Sequence, residues 1–227
     1  MKILSLPLPE AVIFDFDGII VDTEPLHYRA FHRVLDPVGM GFSWEEYVAA
    51  YMGFDDRDAF REAFRRCGRE LDGGALRELV AAKSRVFLEI LRSGVETYPG
   101  VVPTVASLHA AGIPLAISSG ALRSDIDPIL RGLGIGLCFP VIVTADDVRK
   151  SKPDPECYAL AFRRLSALHP SRVTAPENSI AIEDTPAGIR SAKGAGLRVL
   201  AITNSYGAGE LAGADWVADS LENVRIS

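Results

Sequence analysis

Cysteine is scarce in this 227-residue chain, and basic charge is not in excess. Cys67, Cys138 and Cys157 stand far apart in apolar or helical surroundings, in none of the close pairings that build zinc sites or redox couples. They are expected to be buried structural thiols in a reducing compartment. Against 30 Asp and Glu stand 24 Lys and Arg, a net charge of −6. No basic field is left to hold nucleic acid or an anionic membrane, so neither is expected as a partner. Long hydrophobic runs are missing as well. Met1 to Glu10 carry one lysine and no long apolar stretch, and the runs elsewhere are strand-length and broken by Asp, Gly or Pro. A cytoplasmic protein without a membrane span is therefore expected. Repeats and low-complexity segments are absent too. With 48% hydrophobic and 24% charged residues, the composition is that of a compact fold, long enough for one large or two unequal domains. A monomer is expected.

What the chain does have is a rhythm. Ala11 to Asp15 is a short apolar run ending in a carboxylate, the pattern of a strand buried on both faces. Similar runs recur at Pro114–Ser118, Pro140–Thr144, Ser179–Glu183 and Arg198–Ile202. Helical patterns lie between them, at Val101–Ala111, Ser124–Leu133, Glu156–Leu168 and Ala187–Ala195. Strand alternating with helix predicts an α/β core, a Rossmann-like doubly wound parallel sheet covered on both faces.

Residues 22–94 break the rhythm, with helical periodicity and no convincing strand. Ala59, Phe60, Ala63 and Phe64 share one face of a helix over Asp56–Arg66, and Leu76, Leu79, Val80, Phe87, Ile90 and Leu91 do so over Ala75–Arg92. Each stripe needs a partner, so an inserted all-helical domain is expected over 22–94, with the core formed by 1–21 and 95–227. Gly39, Gly41, Gly53, Gly68 and the Gly73-Gly74 pair are read as breaks within it. Ser93-Gly94 and Tyr98-Pro99-Gly100 mark the return to the sheet.

Chemistry gathers at the strand ends. Asp15-Phe16-Asp17-Gly18 sets two carboxylates just past the first strand, where open parallel sheets bind ligands. Acids this close repel, and need a cation or a shared proton. A solvated Asp-Gly turn explains that motif alone equally well. The second run ends in Ser118-Ser119-Gly120 ahead of a helix, gathering hydroxyls and backbone N–H groups as a phosphate cradle requires, or as a simple helix cap does. Lys152 is pinned before Pro153 in a rigid turn. Glu183-Asp184 closes the fourth run with a second acidic pair.

In these residues the chain resembles the haloacid dehalogenase-like (HAD) superfamily. Asp15-Phe16-Asp17-Gly18-Ile19-Ile20-Val21-Asp22-Thr23-Glu24 is similar to its first motif, Ser118 to its second, Lys152 with Pro153 to its third, and Glu183-Asp184-Thr185-Pro186-Ala187-Gly188 to its fourth, in the family's order. The insert is similar to the helical cap of the subgroup that contains beta-phosphoglucomutase and many small-molecule phosphatases. The resemblance implies that Asp15 is a nucleophile that becomes an aspartyl-phosphate and that Asp17 is the acid/base. It implies that Mg²⁺ is held by Asp15, the Asp17 backbone carbonyl and Asp184, with Glu183 acting through water. Ser118, the N–H groups of Ser119 and Gly120, and Lys152 would hold the phosphoryl oxygens. This agrees with the chemistry: an ionised carboxylate repels a phosphate dianion unless a cation bridges them, and Mg²⁺ suits an all-oxygen site.

Lys83 lies on the apolar side of its helix, where a charge is costly unless it snorkels or meets an anion. The related caps place a lysine at a matching position that reaches the substrate, and His27 matches a histidine near the hinge. His32, His109 and His169 are read as surface or satisfied helix residues. The mutases hold two phosphates, with a cap-loop arginine and a serine–lysine pair after the second motif. This chain reads Tyr51-Met52-Gly53-Phe54-Asp55-Asp56-Arg57 and Ser119-Gly120-Ala121-Leu122-Arg123 instead. The resemblance thus implies a Mg²⁺-dependent phosphatase of a small phosphorylated metabolite. A phosphosugar mutase is the alternative, and a non-catalytic phosphate-binding regulator a third reading.

Overall fold

The computed structural model describes residues 3–52, 54–91 and 95–226. They divide into two units, Met1–Asp22 with Thr97–Ser227, and Thr23–Glu96. The expected joints at 21/22 and 94/95 fall one and two residues short of these.

The first unit is built on strands β1 (Leu4–Leu6), β2 (Val12–Phe14), β3 (Leu115–Ser118), β4 (Val141–Val143), β5 (Ile180–Glu183), β6 (Arg198–Ile202), β7 (Trp216–Ala218) and β8 (Val224–Ile226). Six of them form one sheet in the order β4-β3-β2-β5-β6-β7, parallel throughout, while β1 and β8 pair separately. From β2 the chain steps outward through β3 and β4, then returns to the other side of β2 for β5. The order reverses there, and such a switch point leaves a crevice at the strand C-termini. Ile13, Ala116, Ala181 and Val199 pack with Tyr158 and Leu165 of a helix over Glu156–Leu168 in one buried cluster. The alternate residues Val12, Phe14, Leu115 and Ile182 point to the opposite face and are equally buried. Burial on both faces is why these strands read as unbroken apolar runs.

Glu10 fixes the start of the sheet. Its carboxylate accepts from the backbone N–H of Thr174 and Ala175, the Thr174 hydroxyl and the Asn178 amide, tying the entry of β2 to the entry of β5. The Thr174 N–H leads in holding the carboxyl down from 4.5 to about 2. A depressed carboxyl contributes stability that is present above the unfolded value and lost as pH falls through the folded one. Glu10→Gln is therefore expected to lower the melting temperature by about a few degrees at neutral pH. Between pH 4.5 and about 2 that difference should vanish, read by thermal melts across pH.

The second unit holds α1 (Glu24–Leu35), α2 (Trp44–Ala50), α3 (Asp56–Arg66) and α4 (Gly73–Leu91). The starts of α2, α3 and α4 are written in their capping residues. Ser43 and Glu46 form a reciprocal box at α2, and Asp55 accepts from the Asp58 N–H at α3. Asp72 accepts from the N–H groups of Gly74 and Ala75, so the glycine pair read as a break opens α4 instead. Gly68, at φ 62°, ends α3 as expected. Gly53 and Ser93-Gly94 lie outside the described residues. Phe31, Leu35, Phe60, Ala63 and Leu76 form the core of this unit. Of the three thiols expected to be buried, Cys157 is buried and Cys138 half-buried, but Cys67 is exposed, because α3 stops there. No helix among the described residues is long and apolar enough to cross a membrane.

Candidate active site

Strand register assembles the site. Phe14 pairs with Ile117 on one side and Ile182 on the other, so one residue further Asp15 stands level with Ser118 and Glu183. The Asp15 N–H continues the ladder to the Ile182 carbonyl. Past β2 the chain turns back at once: the Phe16 carbonyl accepts from the Ile20 N–H at 2.8 Å, and the Gly18 N–H donates to Val21. Gly18 has φ 82°, and a Cβ on it would lie 2.0 Å from Asp184 Oδ2. Glycine is required there both for the turn and for the approach of the two acidic loops. Val21 then bridges antiparallel to Thr97, where the second unit leaves and rejoins the core.

One ammonium sits among the acids. Lys152 Nζ lies 2.8 Å from Asp15 Oδ1 and 2.7 Å from Glu183 Oε1; both carboxylates are buried, and the Lys152 side chain is 9% exposed. The Phe16 N–H also donates to Asp15 Oδ1 at 2.7 Å, fixing the carboxylate's orientation. Glu183 receives five donors. Lys152 and the Tyr158 hydroxyl reach Oε1, while the N–H groups of Asp184 and Thr185 and the Thr185 hydroxyl reach Oε2. A carboxylate offers about four lone-pair positions, so Glu183 has none left to give a metal directly. Asp184, buried beside it, accepts from the Ser205 hydroxyl, and Asn204 Nδ2 donates to the Gly18 carbonyl at 2.7 Å. Asn204 and Ser205, from the loop after β6, brace the two acidic loops. Sequence reasoning missed them because no motif spacing distinguishes two small polar residues in a loop.

The charges set the acid–base state. Burial, then the Glu183 charge, push the Asp15 carboxyl well above its ordinary value, against the pull of Lys152. Burial also opposes ionisation of Glu183, yet Lys152 and the bonds from Thr185 and Tyr158 hold it below the usual range. For Lys152 burial disfavours the charge, but Asp15 and Glu183 hold the ammonium above its ordinary value. Burial and the neighbouring anions push the Tyr158 phenol well up, so it remains a donor. Oxygens of Asp15, Glu183 and Asp184 lie within 4.8 Å of one another. Two of these carboxylates share the one ammonium and Asp184 stands beside them, which leaves excess negative charge and the hard oxygens of Asp15 and Asp184, a set that fits a divalent cation such as Mg²⁺.

Asp17 is half-buried, and Ser119 Oγ lies 3.4 Å from its Oδ2. The Ser118 hydroxyl is buried and donates to Cys157 Sγ at 3.0 Å. Burial pushes that thiol up to about 11, so it is not a nucleophile at neutral pH. The Ser119 N–H is spent on the Val143 carbonyl and the Ala121 N–H on Ser119 Oγ, neither of which the Gly120 N–H joins. The structure thus brings Asp15, Asp17, Ser118, Ser119, Lys152, Glu183 and Asp184 to one end of the sheet. Lys83 and His27 belong to the second unit. There Lys83 Nζ lies 2.7 Å from Asp56 Oδ1 and 2.5 Å from His27 Nδ1, above the rings of Phe31 and Phe87. His27 stacks on Phe87. Arg57 turns onto Asp55 at 2.8 Å.

Comparison with known proteins adds what geometry alone does not. A sequence profile of the haloacid dehalogenase-like hydrolases matches residues 12–202. The chain is 31% identical over 222 residues to Protein CbbY of Cereibacter sphaeroides, covering 95% of this chain and 94% of that one. It is 31% identical over 205 residues to the phosphorylated carbohydrates phosphatase of Thermotoga maritima, covering 88% of each. The crystal structure of CbbY from Rhodobacter sphaeroides in complex with phosphate is similar with a TM-score of 0.83. That match is 30% identical and covers 94% of this chain and 95% of that one.

Proposed function

Because the chain belongs to the haloacid dehalogenase-like hydrolases and is a phosphoric monoester hydrolase among them, we propose that it passes the phosphoryl group of a small phosphorylated carbohydrate to Asp15 and then to water. The observation that carries this is the Lys152 ammonium 2.8 Å from Asp15, amid clustered carboxylates at the switch point of the sheet.

In the first half-reaction an Asp15 oxygen bonds to phosphorus as the bond to the sugar oxygen breaks, and Asp17 gives that oxygen its proton. In the second, Asp17 takes a proton from water as the water oxygen attacks phosphorus, which frees phosphate and restores the Asp15 carboxylate. Lys152 meets the charge on the transferring phosphoryl oxygens, and the Gly120 N–H donates to them together with the Ser118 hydroxyl, which must first turn from Cys157 Sγ. Asp15, Asp184 and the Asp17 carbonyl would hold Mg²⁺, which supplies charge neutralisation at phosphorus when bound. Glu183, saturated by its donors, anchors Lys152 instead. Lys83, in the second unit, has its charge on Asp56.

The test is a panel of pentose and hexose phosphates with and without EDTA, with both products identified. Phosphate release that EDTA abolishes is expected. Incubation with β-glucose 1-phosphate and a trace of the 1,6-bisphosphate should give phosphate. Glucose 6-phosphate formed far faster than phosphate would overturn the hydrolase in favour of a mutase.

A further inference from the structure

One buried side chain touches the site from behind and has no place in the steps above. Tyr158 lies in the first turn of its helix, fully buried, with its hydroxyl 3.0 Å from Glu183 Oε1. Its ring faces the Lys152 ammonium at 5.0 Å from the centroid. The same residue thus contacts both halves of the Lys152–Glu183 pair. Lys152 is shared between Asp15 at 2.8 Å and Glu183 at 2.7 Å, so anything that strengthens the hold of Glu183 draws the ammonium away from Asp15.

We propose that Tyr158 is a positioning residue: its hydroxyl takes up part of Glu183 Oε1 and its ring supports Lys152, keeping the ammonium turned toward Asp15 and the phosphoryl group. The hydroxyl satisfies an oxygen that would otherwise rest on Lys152 alone. A buried anion deprived of one donor leans harder on those that remain. The aromatic face offers the ammonium a second, weaker resting place that does not compete with phosphate. The role rests on the phosphatase reading, since it acts through Lys152.

Tyr158→Phe removes the hydroxyl and keeps the ring that fills the core. Losing a hydrogen bond to a charged group corresponds to about a tenfold effect. KM for a monoester and the inhibition constant of inorganic phosphate should therefore rise together by about tenfold, while kcat changes by less than about threefold. A residue that only packs would leave phosphate affinity unmoved. Tyr158→Leu, which removes the ring as well, should show a larger rise of the same kind. In a Glu183→Gln background, where the competing charge is gone, Tyr158→Phe should weaken phosphate binding no further. Native phosphate affinity in a folded Tyr158→Phe protein, or a loss confined to kcat, would overturn the proposal. If the parent chain neither releases phosphate from a monoester nor binds it, the phosphatase reading fails. A parent that does both beside an unaltered Phe variant sinks the positioning role alone.

Discussion

Replacing Asp15 with Asn is expected to cut phosphate release by about a thousandfold or more while the protein stays folded. The amide keeps the shape of the carboxylate and can still accept the Phe16 N–H, but its oxygen carries no charge with which to attack phosphorus. Stability should not suffer. Burial and the Glu183 charge raise the Asp15 carboxyl in the fold, so the native state holds that proton more tightly than the unfolded chain. A raised carboxyl therefore costs stability as pH climbs above its unfolded value, and the neutral amide removes the cost. Without added metal, the Asn variant is expected to melt no lower than the parent at neutral pH. Circular dichroism melts beside a phosphate-release assay give both numbers. A folded variant with near-native turnover would remove Asp15 from the role of nucleophile.

The two acids at the end of β5 are expected to fail in different ways. Glu183→Ala takes one of two carboxylates from the Lys152 ammonium, strands two hydroxyls and two backbone N–H groups at once, and should cost about 3–5 kcal/mol in chemical denaturation. The carboxylate also fills the space beside Gly188, where even a Cβ would come within 1.7 Å of Oε1. Asp184→Ala should keep the fold and raise the Mg²⁺ concentration needed for activity by about a hundredfold. The shape-preserving Glu183→Gln should raise it less. A larger shift for Glu183→Gln than for Asp184→Ala in Mg²⁺ titrations would contradict the assignment of Asp184 as the direct ligand.

Much of this was legible because the chemistry sits at strand ends. A strand buried on both faces is an apolar run that stops where polar residues begin, so Asp15, Ser118 and Glu183 announce both the end of a strand and the start of a site. Parallel register then brings them level with no further information. The remaining strands were not legible. Trp216–Ala218 is three half-buried residues at the sheet edge, too short for a period. Leu4–Leu6 and Val224–Ile226 pair from opposite ends of the chain, a contact that no local pattern encodes. The charge of Lys83 on an apolar face was visible, but its partner Asp56 is 27 residues away on another helix. Periodicity reports which way a side chain faces and not what stands opposite. Five donors converging on Glu183 escaped for the same reason.

The antiparallel bridge between Val21 and Thr97, with the Tyr98 N–H on the Ile20 carbonyl, brings the departure and return of the helical unit side by side. A segment spliced in at such a point adds little closure entropy to the host, because the host chain ends are already neighbours, and that entropy grows only slowly with the length inserted. Residues between the two crossings can thus be lengthened, trimmed or exchanged wholesale while the row of Asp15, Ser118 and Glu183 keeps its register. The same graft point lets the helical unit vary at a pace of its own, with the row of residues at the strand ends held constant.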